Sequence, residues 1–306
     1  MDSTLIPNLV AGLVNIVLVL LVAPLAQGIS RKVTARIQSR QGPPVLQPYF
    51  DLLKLLGKED IEAGEIPLMQ RFVSWLSLAS VLAVAALVPM GLGVSMNVAG
   101  DVVLLVYLLT LCSVCTLLAG LAAGSTYSLL GISREMMTMI TLEPLFAVAV
   151  IVGAIHAHSL RLDAVLSGSA FFGAPWSGIL MMLIMLLAFQ AFVQRVPFDV
   201  SEAETELMEG SLMEYSGPKL ALFKYTQMIK MIVYAALFIG LFDPLGLNTG
   251  SSLVFILFWI KIFGLVLLVA VVAATHARYR IDQVIRYFAA MLGTSLVALL
   301  LASYGY

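Results

Sequence analysis

Five carboxylates crowd one short stretch, RVPFDVSEAETELMEG: Asp199, Glu202, Glu204, Glu206 and Glu209. Like-charged acids this close cannot all ionise cheaply, so they share protons and titrate as a group that responds to any nearby change of charge. A proton relay would use such chemistry, and an ordinary solvated acidic face would show the same residues. Three more ionisable groups interrupt apolar runs: Glu143 in MITLEPLFAV, Lys230 in TQMIKMIVY and Lys261 in FWIKIFG. An ionisable side chain at a bilayer centre costs about 2.5 to 3.5 kcal/mol, so each one argues for a polar interior or a partner. The alternatives are a structural ion pair or a side chain reaching for the interface. Arg134 and Arg195 neighbour carboxylates in sequence and either hold them ionised or only set topology.

The elements that must position these groups are membrane helices. The chain has 306 residues, 61% hydrophobic and 11% charged, with a mean hydropathy of +1.01. Soluble domains carry about a quarter charged residues. Eight apolar runs, at 5–27, 72–91, 102–123, 139–157, 178–194, 226–242, 253–274 and 284–301, are long enough to cross a bilayer. The fold class is therefore all-α and polytopic, with residues 1–306 as one integral membrane domain. A barrel is excluded because nothing alternates apolar and polar residues strand by strand. The first run lacks the positive flank of a cleavable signal and is kept as a span. A net charge of −1 and the lack of a phosphate-cradling glycine loop leave no sign of a nucleic-acid partner, so lipid and protein partners are expected.

Basic residues concentrate in alternate connections. The positive-inside rule puts 28–71, 124–138, 195–225 and 275–283 in the cytoplasm and both termini outside a cell's inner membrane. In the first connection, Val45, Tyr49, Leu52, Leu53 and Leu56 recur at helical spacing, opposite Gln47, Asp51, Lys54 and Lys58. That pattern predicts a short interfacial helix, resting in the headgroup layer or seating a soluble partner. In the third, Ser201 and Glu204 have capping-box spacing and Gly210 can end a helix over about 202–209. Such a helix aligns Glu202, Glu206 and Glu209 on one stripe, either a solvated acidic face or a relay. Cys112 and Cys115 fall inside a membrane run and read as core residues rather than a redox or metal pair. His156 and His158 read as interface residues, and Gly120 with Gly124 as a close-packing pair.

Three segments, ARIQSRQGPPVLQPYFDLLKLLGKED, GISREMMTMITLEP and RVPFDVSEAETELMEGSLMEYSG, resemble the signatures of one family over essentially the whole chain. It comprises the membrane anchor subunits of energy-converting (group 4) nickel-iron hydrogenases and formate hydrogenlyase, homologous to the ND1-type subunit of respiratory complex I. Gly42-Pro43-Pro44 leads directly to Leu46-Gln47-Pro48, where complex I subunits carry a longer insertion, and the neighbourhoods of 133–135 and 142–144 also favour the hydrogenase branch.

The resemblance implies a non-catalytic coupling subunit that links redox chemistry in a soluble arm to proton or sodium translocation. Asp199, Glu202, Glu204, Glu206 and Glu209 would form the mouth of a line of acids and Glu143 a relay within it. Arg36, Arg40, Asp51, Lys54, Glu214 and Tyr215 would seat the soluble arm. The chain offers no ligand set for nickel or an iron-sulfur cluster. A nickel-iron centre and iron-sulfur clusters are instead expected on hydrogenase large and small subunits and a ferredoxin-like iron-sulfur subunit, with antiporter-like membrane subunits alongside. The alternative is an ND1-type quinone-cavity subunit of an NADH or ferredoxin:quinone oxidoreductase.

Overall fold

The computed structural model describes residues 5–61, 66–91, 101–167, 175–201, 207–208, 210–242 and 252–305. Helices account for nearly all of them: α1 (Leu5–Ile37), α2 (Gln47–Leu56), α3 (Pro67–Leu87), α4 (Val102–Ala123), α5 (Thr126–Ala157), the single turn α6 (Leu162–Val165), α7 (Trp176–Phe192), α8 (Gly217–Phe242), α9 (Ser252–Thr275) and α10 (Ile281–Ser303). Seven are long and apolar enough to span a membrane, and α7 is a shorter apolar helix. Those eight correspond to the eight apolar runs.

Several helices exceed the sequence expectation, α1 and α5 most of all. The first continues through Arg31, Lys32 and Arg36 to Ile37, and α5 starts at Thr126 rather than about 139. Hydropathy stops at the polar residues, but helix propensity does not, so each helix projects past its apolar run. The α4–α5 hairpin has a local cause. Gly124 takes a left-handed conformation that ends α4, and the Ser125 hydroxyl caps α5 by accepting from the Ser128 amide. Gly124 is thus a cap, not the second half of a close-packing pair. Gly120 does pack closely, since a Cβ there would meet the Ile132 side chain at 2.6 Å.

At the centre of the bundle stands α8, with 83% of its apolar window buried against 28–44% for the other long helices. It packs on α1, α2, α3, α7 and α9, while α10 packs on α5 and α7. The outer helices turn large apolar residues such as Leu13, Leu68 and Trp75 outward, where lipid rather than water solvates them.

Pro24 lies inside α1 and has no N–H for the Leu20 carbonyl, and its ring crowds that turn. The Tyr225 hydroxyl of α8 donates to the Leu20 carbonyl at 2.7 Å, and the Tyr49 hydroxyl of α2 donates to the Leu21 carbonyl. The carbonyl freed in one helix is thereby satisfied by another, and α2 adds a donor beside it. Gly28 permits the next contact, because a Cβ there would lie 1.9 Å from the Val45 carbonyl oxygen. The chain returning from α1 therefore lies directly on the helix. Replacing Gly28 by alanine must displace that backbone and should destabilise the protein by about 1 to 3 kcal/mol, the usual range for overpacking. The checks are a lower thermal midpoint of the solubilised protein and faster proteolysis between residues 38 and 46.

Candidate functional site

Glu135, Thr138, Met139, Leu142 and Glu143 fall at i, i+3, i+4, i+7 and i+8 along α5, one helical stripe, and all line one cavity of about 30 Å³. That volume accommodates about one or two waters. Ser113 of α4, Phe192 and Gln194 at the end of α7, Lys230 and Tyr234 of α8, and Phe288 of α10 complete the wall. The rings of Phe146, Phe192 and Tyr234 pack together beside it, with centroids 5.1 to 5.8 Å apart. The groups inside are therefore shielded from lipid by aromatic surface.

Two acids and one ammonium share this small space. One Glu143 carboxylate oxygen is buried without a hydrogen-bond partner among the described residues. Pro144, the next residue, removes a helix hydrogen bond from the same turn. Lys230 is 6% exposed, and its ammonium lies 5.9 Å from the Tyr234 ring centroid. Glu135 is 7% exposed and accepts a short hydrogen bond from the Gln194 amide. Sequence reasoning missed Glu135, which the basic-residue count had assigned to a connection. The signal was available: extending the helical stripe of Glu143 back by two turns reaches it.

The RVPFD segment roofs the cavity. Val196–Pro197 is a cis peptide bond, and Gln194 adopts a left-handed backbone. The Gln190 amide donates to the Val196 carbonyl at 2.6 Å and to that of Val269 at 3.2 Å, and the Tyr279 amide donates to Pro197. Phe198 lines the cavity and packs on Tyr279, Tyr287 and Phe288. Asp199 does not line it and forms a 3.1 Å ion pair with Arg278. Arg134 holds the same segment by donating to the Val200 carbonyl at 3.4 Å. Glu202, Glu204, Glu206 and Glu209 lie outside the described residues, as does the helix expected over 202–209 apart from Leu207 and Met208.

The other site residues divide. Lys261 does not join the cavity. It lines a separate apolar groove with Met182, Phe238 and Gly264. Arg195 lines a further pocket with Arg31 and Arg40. Tyr215 is 5% exposed and donates to the Ala119 carbonyl at 2.9 Å, so it is an internal strut rather than a docking residue. Burial pushes its hydroxyl pKa up. Around it the start of α8 is latched to the segment after α2. The buried Lys219 pairs with Asp60 at 3.3 Å, the Ile61 amide donates to the Ser216 hydroxyl, and a Cβ on Gly217 would meet the Glu59 carbonyl oxygen at 2.6 Å. Arg36, Arg40 and Lys54 are exposed, and Glu214 is half-buried.

The α2 helix forms where the spacing predicts, but its inward residues are Pro48 and Leu52, whereas Leu53 and Leu56 remain exposed. Cys112 and Cys115 are free and buried, the first of them 3.8 Å from the Ser77 hydroxyl. His156 meets the Ser177 hydroxyl at 2.9 Å. Among the described residues no three His, Cys, Asp or Glu side chains gather as a metal site.

An eight-span membrane protein with buried acids facing a central lysine defines the class. The chain belongs to the NADH dehydrogenase family, whose model matches residues 10–303. It is similar to hydrogenase-4 component C of Escherichia coli, 35% identical over 94% of this chain and 93% of that one. Formate hydrogenlyase subunit 4 of the same organism is 31% identical over 88% and 91%. NADH-quinone oxidoreductase subunit 8 of Rhodothermus marinus is 34% identical over 73% and 72%. Among solved structures, a chain of the archaeal membrane-bound sulfane sulfur reductase has the same fold, with a TM-score of 0.85 and 24% identity over 97% and 99% of the two chains.

Asp51 supplies a pH test of the α1–α2 contact. Partial burial opposes its ionisation, but hydrogen bonds from Gln47 and Arg31 and the charges of Arg31 and Lys54 prevail and hold its carboxyl below the ordinary 3.8. With the folded pKa the lower one, the pairing contributes fully above about 3.8 and is lost as pH falls through the folded value. Amide exchange in α2, corrected for intrinsic rates, should stay level above that pH and rise below it. Asp51→Asn should show the raised rate throughout.

Proposed function

We propose that this chain is the membrane-anchoring and coupling subunit of an energy-converting nickel-iron hydrogenase complex, set in the cytoplasmic membrane with both termini outside. The observation that carries the reading is the shared cavity of Glu135, Glu143 and Lys230 beneath the RVPFD segment. Two carboxylates beside one ammonium leave one negative charge unmatched, which a proton can fill. Glu143 with its unpartnered oxygen is the natural acceptor, and a cavity water can bridge it to Glu135.

The similarity to hydrogenase-4 component C and formate hydrogenlyase subunit 4 supports the hydrogenase setting. In that setting nickel-iron and iron-sulfur chemistry belongs to large, small and ferredoxin-like subunits outside this chain. Its exposed Arg36, Arg40 and Lys54, with Asp51, form the seat for that arm. A change of charge or position there reaches α8 along two routes. One is the Tyr49 and Tyr225 clamp on α1, and the other is the latch of Asp60, Ile61 and Glu59 onto Lys219, Ser216 and Gly217. Moving α8 moves Lys230 relative to the two glutamates, and the proton follows. Asp199, Glu202, Glu204, Glu206 and Glu209 would be the mouth through which protons arrive, with Arg134 and Arg195 fixing its edges. Antiporter-like subunits take the signal onward.

Purification through a tag on this chain tests the setting. A nickel-containing large subunit, an iron-sulfur small subunit and antiporter-like proteins should travel with it. An NADH-linked or quinone-linked set without nickel would refute the hydrogenase setting in favour of one like that of the NADH-quinone oxidoreductase relatives. The relay is tested in proteoliposomes: Glu143→Gln and Glu135→Gln should assemble and lower the ions moved per hydrogen formed by at least about tenfold, the scale of losing a positioned proton carrier. Unchanged pumping with full assembly would refute the relay.

A further inference from the structure

Gln194 follows the last turn of α7 with a left-handed backbone, at a φ of +53°. That region crowds the Cβ of any residue but glycine, and asparagine, aspartate and histidine are the side chains that tolerate it best. Ser39 and His158 take the same conformation just past α1 and α5, and both are exposed there. Gln194 instead lines the acid cavity, where its side-chain amide donates to Glu135. Glycine would make the same turn at lower cost. What glycine lacks is the amide, so the strained position points to a task for the side chain.

The other groups in the cavity define that task. Glu135 and Glu143 share one stripe of α5, Lys230 and Tyr234 face them from α8, and Ser113 of α4 and Phe288 of α10 carry no charge. Lys230 balances one carboxylate, so the two acids hold one proton between them. Hydrogen-bond donors decide which acid holds it. An N–H aimed at a carboxyl favours its ionised form, the more so where water is scarce. Glu135 has such a donor in Gln194, while one oxygen of Glu143 has no partner among the described residues.

We propose that Gln194 is a positioning residue that keeps Glu135 ionised and thereby assigns the proton shared by the two acids to Glu143. Glu135 and Lys230 are then the fixed charges of the cavity, and Glu143 is the variable one. The consequence for coupling rests on the relay proposed above, because a relay needs its proton to start from one defined carboxyl. The assignment itself is a property of the resting protein.

The test is infrared difference spectroscopy of the intact purified complex, stepped in pH without turnover, in the carboxylic-acid stretching region. With Gln194 in place, the band should be lost in Glu143→Gln and kept in Glu135→Gln, and the reverse would overturn the proposal. Gln194→Gly keeps the turn without the amide, and Gln194→Asn keeps both but is one methylene shorter. In each, the ratio of protonated Glu143 to protonated Glu135 should fall by about tenfold, the scale of one lost hydrogen bond to a charged group, so that a band sensitive to Glu135→Gln emerges. A role confined to ending α7 would be served by glycine and asparagine alike, so an unmoved band in both variants would overturn the proposal. Should one of these variants fail to assemble, the other decides, and should both fail, the two glutamate variants decide. Pumping separates this inference from the relay. Unchanged pumping in Glu143→Gln, with the band shifting as expected, refutes the relay and supports the assignment to Gln194, whereas reduced pumping with an unmoved band refutes the assignment alone.

Discussion

An ammonium group in the middle of a lipid-embedded bundle needs compensating charge or water, and Lys230 places that demand on the most deeply buried helix of the protein. The surrounding architecture answers it. Glu135 and Glu143 approach from α5, Ser113 from α4 and Gln194 from the end of α7, while aromatic rings close the space to lipid. A polar cavity of this kind is stable only while every neighbour holds its place, which makes it sensitive to small movements of any of them. The same sensitivity is what a coupling element requires.

The connections between the helices make direct contact with the elements that line the cavity or carry its groups. Pro24 leaves the Leu20 carbonyl of α1 without its helix donor, which Tyr225 of α8 supplies, and Tyr49 of α2 donates to the adjacent Leu21 carbonyl. The first turn of α8 is tied to residues 59–61 by an ion pair, a serine and a glycine contact. Across the bundle, Phe198 packs into the aromatic wall while its neighbour Asp199 pairs with Arg278 outside it. One short segment therefore touches both the buried acids and the charged surface. On the proposed reading, a signal from a soluble arm to the cavity needs no long-range deformation, only displacement of elements already in contact.

Much of this was legible in the sequence and some was not. The eight spans follow from apolar runs alone, because only a helix satisfies its backbone in lipid. Glu143 and Lys230 stood out as charges in apolar surroundings. Glu135 did not, since it lies in the polar turns by which α5 extends past its hydropathic limit, and those turns looked like a connection. Lys261 is equally anomalous by composition, yet the rotation of α9 turns it into a different groove. Tyr215 carried a motif that suggested a surface, and the structure commits its hydroxyl to the Ala119 carbonyl. Periodicity reports which residues share a helix face, but which face meets which neighbour is decided by glycine contacts and caps such as Gly28, Gly124 and Gly217 that only three dimensions reveal.

The central claim is that Glu143 changes protonation when the complex turns over. The most direct measurement is a redox-triggered infrared difference spectrum of the assembled complex, recorded in the carboxylic-acid stretching region in ordinary and heavy water. A deuterium-shifted band present in the wild type and absent from Glu143→Gln would bear the claim out. The same band persisting unchanged in that variant would contradict it.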